Sequence, residues 1–300
     1  MIDGIINVYK EQGYTSFDVV ARLRGILRQK KIGHTGTLDP LAEGVLMVCL
    51  GKATKLVDML TSGTKQYNTV MKLGTTTDTE DITGKVLSES DNWSGLTSKH
   101  IIDTIKGFVG EYDQIPPMYS AIKKNGKKLY EYARQGAIID REARHVEIFS
   151  IDNISVKLPY VSFDVHCSKG TYIRSLCRDI GNELMCGACM TALVRSDVHG
   201  YKLEDALRLS YIEKLYQEGI LSEYIIPIDK LLDSYKLTHI RDNGLKLLMN
   251  GNKLSSDLFI EQSEYTENEI IRVYADKEFI GLYQYSINDK IFKPYKMFLN

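Results

Sequence analysis

The sequence has no apolar run long enough to cross a bilayer, which argues against a membrane-spanning segment. Its start, MIDGIINVYKEQ, also lacks the charged, apolar and small-residue zones of a secretory signal peptide. Low-complexity tracts and internal repeats are absent as well, and a content of 43% hydrophobic and 26% charged residues is ordinary for a folded protein. These absences predict a soluble cytoplasmic protein, and a length of 300 residues with this composition leaves room for one large domain and a small one.

Cysteine is scarce, since the 300 residues include five, an odd number that fits reduced thiols better than a disulfide framework. Cys186 and Cys189 form a lone CxxC pair, and a zinc site would need two further ligands. Cys167 and Cys177 are the thiols nearby, and no second close pair or histidine doublet is present. We therefore expect buried free thiols and no metal site.

An excess of charge of one sign is missing too. The formal net charge of -1 argues against indiscriminate binding of polyanions, but the placement of charge matters more than its sum. Two stretches are locally basic: RLRGILRQKK at residues 22–31 and KKNGKK at residues 123–128, with further basic residues up to His145. Solvated helix and loop faces would explain either stretch equally well when it is taken alone.

The periodicity of apolar residues predicts a mixed α and β protein. A helix should begin after Thr15, because Asp18 three residues later can complete its cap. The apolar residues of this helix recur at helical spacing and should face the core: Phe17, Val20, Leu23, Ile26 and Leu27. VLMVCLG and QYNTVMKLG predict strands. After about residue 230, KLTHIRDNGLKLLMNGNKL and IIRVYADKEFIGLYQYS predict short strands and a separate β-rich domain.

The loop GHTGTLDPLAEG combines three glycines, a proline, a histidine and two acids between a basic helix and a buried strand. Glycine allows a ligand to approach the backbone closely, and Pro40 stiffens the chain beside Asp39, so the loop could hold a carboxylate in a fixed pose. The loop matches neither a Walker motif nor a GxGxxG dinucleotide motif. A tight turn with a surface aspartate fits the spacing as well, and spacing alone does not decide between the two.

The stretch GHTGTLDPLAEGVL closely resembles the signature of TruB-type pseudouridine synthases. Four further stretches follow in that family's order: KQYNTVMKLG with TDTEDITG, IPPMYSAIKKNGKKLYEYARQG, CSKGTYIRSL and MTALVRSDVHG. The similarity runs from residue 4 to about residue 200, and five segments in one order argue against coincidence. EFIGLYQYS before IFKPYKMFL is similar to a PUA-like RNA-binding domain.

The resemblance implies an α+β fold. A mixed, largely antiparallel sheet with flanking helices would form a catalytic domain over residues 1–230, with an insertion at about 112–146 that clamps tRNA, and a small β-rich PUA-like domain would occupy residues 231–300. The family isomerises the T-loop uridine of tRNA, at conventional position 55, to pseudouridine. The base is flipped out, the bond from C1′ to N1 breaks, and C1′ is rejoined to C5. Nothing is consumed, so no cofactor is expected.

By this resemblance Asp39 is the essential carboxylate, and whether it attacks the sugar or the base or removes a sugar proton stays open. Arg174 matches the active-site arginine, whose guanidinium would keep Asp39 ionised and oriented. Tyr67 matches the tyrosine that stacks on the target base and is a candidate to move a proton at C5. Without this resemblance, each of these residues would be interpreted as a surface or packing residue.

The resemblance also implies residues that bind the RNA. Leu193 matches an apolar residue that packs on the other side of the base, and Tyr172 would support the pocket. His34 matches a histidine that fills the space left by the flipped nucleotide. Lys55, Arg22 and the KKNGKK stretch are candidate phosphate contacts.

The expected partner is the T-arm stem-loop of tRNA, bound by a monomer with no membrane association and no obligate protein partner. One alternative is the related catalytic subunit that works with a guide RNA and protein partners, although the KKNGKKLYEYARQG region follows the stand-alone pattern. Another is a non-catalytic RNA-binding or tRNA-folding protein. A third, a carboxylate glycosidase, would need a second acid opposite the first, for which Glu43 and Asp18 are the candidates.

Overall fold

The computed structural model describes residues 1–299. Seven α-helices lie in this part of the chain: α1 (Ser16–Leu27), α2 (Val57–Leu60), α3 (Ser98–Lys106), α4 (Leu129–Arg134), α5 (Ile173–Glu183), α6 (Leu209–Gln217) and α7 (Asp242–Met249). The strands are β1 (Gly4–Lys10), β2 (Ile32–His34), β3 (Glu43–Leu50), β4 (Lys65–Leu73), β5 (Thr75–Thr77), β6 (Val86–Glu89), β7 (Gly110–Gln114), β8 (Lys123–Lys124), β9 (Lys127–Lys128), β10 (Arg144–Lys157), β11 (Tyr160–Cys167), β12 (Ala188–Val198), β13 (Tyr201–Lys202), β14 (Lys236–His239), β15 (Leu254–Ser255), β16 (Ile270–Ala275), β17 (Glu278–Ser286) and β18 (Ile291–Met297).

A nine-stranded sheet forms the centre of the larger unit. Its main path runs β1-β3-β12-β4-β11-β10-β7, with β2 beside β3 and β13 beside β12. The pairs are antiparallel except for β3 and β12, which meet in parallel where Gly44 lies opposite Arg195. The predicted α+β class with a mixed, largely antiparallel sheet and flanking helices is confirmed. The parallel contact matters for the site because it brings the end of the 35–42 loop against β12.

Two hydrophobic clusters attach helices to this sheet. One joins α1 and α6 to β1 and β3, with Leu23, Val48 and Ile212 fully buried. The other joins α3 and α5 to the middle strands around Phe163 and Leu176. Buried apolar surface is the main stabilising term in folding, so these clusters hold α1 and α5 in place on the sheet. Both helices begin at the edge of the cavity described below.

Helix α1 begins as predicted, with a capping box in which Thr15 accepts a hydrogen bond from the Asp18 amide and Asp18 accepts one from the Thr15 amide. The prediction that Phe17 faces the core is wrong, because its side chain is 63% exposed. The buried stripe is built from Ser16, Val19, Val20, Leu23 and Leu27, and Phe17 lies to one side of it. Its ring instead lies 5.8 Å from the Arg24 guanidinium.

The C-terminal part forms a five-stranded sheet in the order β14-β16-β17-β18-β15, which confirms a small β-rich unit. The prediction of strands throughout KLTHIRDNGLKLLMNGNKL is wrong in part, because its middle forms α7. Leucine, lysine and methionine favour helix, and α7 has no β-branched residue to oppose them. Leu282 of this sheet and Phe298, which follows β18, share a buried cluster with Ile5 and Met47, so the two units are packed together.

All five cysteines are buried and free: Cys49, Cys167, Cys177, Cys186 and Cys189. Within residues 1–299, no three histidine, cysteine or acidic side chains are grouped so that they could hold a metal ion. No helix in this range combines the length and the apolar character needed to span a membrane.

Candidate active site

The loop that carries Asp39 joins β2 to β3 and is held at both ends. Gly36 has φ of +125° and Gly44 has φ of +107°, backbone conformations that favour glycine. A Cβ atom on Gly44 would lie 2.3 Å from the carbonyl oxygen of Arg195, so this position has no room for a side chain. Within the loop, the Ala42 amide donates a hydrogen bond of 3.1 Å to the Asp39 carbonyl. The loop is therefore a compact turn pressed against β12.

The start of α1 fixes the middle of the loop. The buried Ser16 hydroxyl accepts a hydrogen bond of 2.8 Å from the Leu38 amide and lies 3.3 Å from the Leu38 carbonyl, to which it donates. The Gly13 amide donates to the Pro40 carbonyl at 2.8 Å. These bonds lie on both sides of Asp39, so its backbone has little freedom to move.

The Asp39 carboxylate lies beside a buried arginine. Oδ2 of Asp39 is 2.9 Å from Nε of Arg174, and the two side chains are 36% and 5% exposed. The Nε–H group has no aligned hydrogen bond, so the contact is an ion pair set by distance. Arg174 also donates to the carbonyls of Thr79 and Tyr119, at 2.8 and 2.9 Å. The guanidinium is thus held by several acceptors, while the carboxylate stays partly open.

Asp39 faces a cavity of about 880 Å³ between the sheet, the start of α5 and the segment before β10. This volume is in the range of small-molecule and cofactor sites. Among the described residues that line it, Asp39 is the one acid. Six lining side chains are basic: Lys65, Arg144, His145, Lys169, Arg174 and Arg195. The cavity therefore combines one carboxylate with a surround that attracts anions.

Tyr67 and Leu193 form apolar walls of the same cavity, from the neighbouring strands β4 and β12. Each side chain is 7% exposed. Burial raises the pKa of the Tyr67 hydroxyl to about 12, so it is protonated at neutral pH. Tyr172 lines the cavity too, and its backbone exchanges hydrogen bonds with the side chain of Gln114 on β7.

The structure brings five of the predicted residues to one cavity: Asp39, Tyr67, Tyr172, Arg174 and Leu193. It does not bring His34, Lys55 or Arg22 there. His34 ends β2 near the loop, and burial lowers the pKa of its imidazole. Lys55 donates a hydrogen bond of 2.6 Å from Nζ to the Met297 carbonyl of the C-terminal sheet. Arg22 lies on the exposed side of α1.

Two buried cations were not predicted from the sequence. Lys65 donates from Nζ to the Gly63 carbonyl at 2.8 Å, and burial lowers its pKa to about 8. It lies two positions before Tyr67 on β4, and this alternation could have placed both residues on one face. Arg195 lies opposite Tyr67 in the register of β4 and β12. No local pattern indicates that pairing, because it depends on strands far apart in the chain.

The second acid that a glycosidase would need does not reach the cavity in the described part of the chain. Glu43 accepts a hydrogen bond of 2.8 Å from the Tyr9 hydroxyl, and Asp18 is engaged in the cap of α1. Paired-carboxylate hydrolysis requires two acids on either side of the bond that breaks. The arrangement around Asp39 does not meet that requirement.

Two family models match the chain. The model described as TruB family pseudouridylate synthase (N terminal domain) matches residues 24–173, and the tRNA pseudouridylate synthase B C-terminal domain matches residues 174–233. A tRNA pseudouridine synthase B of Lachnoclostridium phytofermentans is 50% identical, over 99% of this chain and 100% of the relative. One of Clostridium kluyveri is 45% identical with the same coverage, and one of Clostridium perfringens strain 13 is 49% identical over 94% of each chain.

Solved structures share the fold across almost the whole chain. A chain of a Cbf5-Nop10-Gar1 complex has a TM-score of 0.73 at 26% identity and covers 99% of this chain and 85% of that one. A chain of an H/ACA RNP bound to a substrate RNA has the same TM-score and coverage at 24% identity, which speaks for the fold alone.

Proposed function

The chain belongs to the TruB family of pseudouridylate synthases, and we propose that its Asp39 cavity converts a uridine of tRNA to pseudouridine. The observation that carries this assignment is the ion pair of Asp39 with Arg174 in a cavity where Asp39 is the one acid among the described lining residues. The names and full-length similarity of the relatives support tRNA as the substrate. The specific target we propose is the T-loop uridine.

The isomerisation breaks the bond from C1′ to N1 of uridine and joins C1′ to C5 of the same base, while C5 loses its proton and N1 gains one. No external electrons or leaving groups are needed, so a carboxylate with fixed geometry and a dry pocket can carry the chemistry. Asp39 supplies that carboxylate next to the glycosidic bond. Arg174 places an opposite charge 2.9 Å from this carboxylate, and other acceptors hold the arginine side chain in place.

Tyr67 and Leu193 hold the detached uracil between them. Their side chains come from adjacent strands and are nearly buried, so the base would stack on an aromatic ring and an apolar side chain. The Tyr67 hydroxyl is protonated at neutral pH because burial raises its pKa to about 12, and it is the candidate group to move the proton at C5. Tyr172 supports the same pocket through its bonds to Gln114.

The target base must leave the T-loop to reach Asp39, because the reacting atoms of a stacked nucleotide are inaccessible. We propose that His34, which lies just before the loop on β2, occupies part of the space that the nucleotide leaves. The basic cavity mouth, including Arg144 and Lys169, would hold phosphates beside the flipped nucleotide.

We propose that parts of the chain outside the cavity also contact the RNA. The insertion at about 112–146 supplies Tyr119, Tyr130 and Arg144 to the cavity wall, which supports a clamping role for it. We assign residues 1–230 to the catalytic domain and residues 231–300 to a PUA-like RNA-binding domain. Lys55 and Arg22 are weaker phosphate contacts, since Lys55 is bonded to the C-terminal sheet.

We further propose that the enzyme acts as a monomer without guide RNA or an obligate protein partner. The relatives named tRNA pseudouridine synthase B are 45–50% identical over nearly the full chain, whereas the Cbf5 chain is 26% identical. The similarity is therefore greater to proteins named for tRNA than to the subunit of a multiprotein complex.

The test uses purified protein and a bare T-arm stem-loop RNA, with pseudouridine detected by chemical mapping. Wild-type protein should form pseudouridine without additions. Asp39→Asn should lower the rate at least about 10³-fold, as expected when a reacting group is removed, while RNA binding persists. Asp103→Asn, at an exposed position on α3, is the matched control and should retain activity. An active Asp39→Asn enzyme, or a wild type that binds the RNA without modifying it, would rule the assignment out.

A further inference from the structure

Arg195 is a buried charge without an acidic partner. Its side chain is 1% exposed, and no carboxylate of residues 1–299 lies within ion-pair distance of it. Charged groups nearby are mostly of the same sign, including Lys10 and Lys65. Burying an uncompensated charge is strongly unfavourable, so such a residue must be stabilised by other polar groups. The polar groups that accept hydrogen bonds from Arg195 therefore indicate which parts of the structure it holds in place.

The acceptors of Arg195 lie at the two ends of the Asp39 loop. Its Nε donates a hydrogen bond of 2.7 Å to the Val45 carbonyl, and its Nη2 donates one of 3.3 Å to the Gly36 carbonyl. The backbone of Arg195 also lies against Gly44, which has no room for a side chain there. One residue therefore contacts the loop before and after Asp39.

Arg195 also lies beside the strand that carries Tyr67. It is opposite Tyr67 in the register of β4 and β12, and both side chains line the cavity. Arg174 does not have this position, because it donates to the carbonyls of Thr79 and Tyr119 and forms ion pairs with the carboxylates of Asp39 and Asp81. Arg195 thus joins the loop that presents the carboxylate to the strand that presents the tyrosine.

We propose that Arg195 is a positioning residue that sets the distance and orientation between the Asp39 carboxylate and the Tyr67 hydroxyl. This inference rests on the proposed function. Because Arg195 is 1% exposed, it offers almost no surface to RNA, and its effect should lie in the chemical step. A lysine keeps the charge but lacks the planar fork that reaches both loop carbonyls, while a methionine keeps the bulk and donates to neither.

The experiment measures kcat and KM on the T-arm stem-loop, together with thermal unfolding, for Arg195→Met and Arg195→Lys. Misplacement of reacting groups by about 1 Å costs on the order of 10²-fold, so kcat of Arg195→Met should fall by about that factor. Arg195→Lys should fall by about tenfold. KM should stay within about twofold of wild type for both variants, since a residue with almost no exposed surface does not hold phosphates.

Arg272→Met is the matched control, because Arg272 is a buried arginine, 7% exposed, that donates to the carbonyls of Tyr235 and Asp233 in the C-terminal part. It should keep kcat within about threefold while losing stability. The proposal is overturned if folded Arg195→Met keeps wild-type kcat, if the loss appears in KM, or if Arg272→Met loses kcat equally. Should Arg195→Met not fold, Arg195→Lys decides, and a Lys variant that is unfolded or fully active also overturns it. An inactive wild type would instead refute the proposed function.

Discussion

The floor and the rim of the cavity are built in opposite ways. At the floor, Arg174 and Arg195 are nearly buried, and each donates to at least two backbone carbonyls. At the rim, the 112–146 insertion has two two-residue strands and the six-residue helix α4, and it carries exposed lysines such as Lys123 and Lys127.

The difference reflects what each part must do. A bond rearrangement depends on the positions of reacting atoms to within fractions of an ångström, so its cations need several fixed acceptors. Attraction between lysines and phosphates depends mainly on charge and proximity, and it tolerates mobile side chains. The floor should therefore control kcat, and the rim should control KM.

The largest effect that tests this difference is expected at Arg174. Arg174→Lys keeps the charge but loses the geometry that contacts Asp39, Thr79 and Tyr119 together, so kcat should fall about 10²-fold with little change in KM. Arg178→Lys is the matched control one turn later on α5, where the guanidinium pairs with Glu80 and Asp179. Steady-state kinetics on the stem-loop measure both, and equal losses would show that the helix rather than the Asp39 contact is responsible.

Lys65 combines features of the floor and the rim, since its side chain is buried like the floor arginines but it lines the cavity as a lysine whose charge could attract RNA. Its pKa is lowered to about 8 because burial disfavours the charged form. As the pH rises through 8 the cavity loses this positive charge, so KM for RNA should rise from pH 7 to pH 9 by roughly fivefold, the effect of one charge contact of about 1 kcal/mol. Lys65→Met should have the higher KM at pH 7 already and a flatter profile.

Stability provides the second measurement for Lys65. The pKa of an ordinary lysine is 10.5, so between pH 8 and 10.5 the unfolded chain binds the proton that the folded protein has lost. Stability from this residue therefore increases as the pH rises through that window. Lys10, whose pKa burial also lowers to about 8, adds the same trend. Urea unfolding of wild type should show a steeper rise than Lys65→Met, and identical slopes would contradict the burial of the ammonium.

The smallest effects are expected at the rim. Replacing Lys123 and Lys127 by glutamine should raise KM by about threefold and leave kcat unchanged, because these side chains lie outside the cavity floor. The salt dependence of binding should weaken by about one unit of slope per lost phosphate contact. Lys99→Gln, an exposed lysine on α3 paired with Asp103, is the control. A fall in kcat after replacement of Lys123 and Lys127 would contradict the expectation that the rim affects only KM.

Much of the fold could be predicted from local patterns. The capping box at Thr15 and Asp18, the buried strand over VLMVCLG and the strand containing Tyr67 are local features, and the structure contains each of them. Phe17 was placed on the wrong face because the true apolar stripe begins with a serine, Ser16, whose burial depends on its bonds to Leu38. The local pattern does not predict helix α7, because Asn243 and Gly244 are turn signals, although the residues after them favour a helix.

For the candidate site too, some residues could be predicted from local motifs and others could not. The motifs indicated Asp39, Tyr67, Tyr172, Arg174 and Leu193, and all five line one cavity. They also suggested Lys55 as a phosphate contact, whereas its ammonium donates to the Met297 carbonyl, a partner 242 residues away. Only the packing of segments far apart in the chain could reveal that contact.

The motifs in the sequence were enough to indicate the family, the reaction and Asp39 as the candidate carboxylate, because these depend on residue types at short spacings within the loop and strand motifs. Tertiary structure decided which cations stand behind that carboxylate and which face the solvent. Arg195 and Arg22 are the same residue type. Arg195 is buried on a central strand, whereas Arg22 is exposed on helix α1. Burial and long-range hydrogen bonds depend on which distant segments pack together, and no local sequence pattern shows that packing.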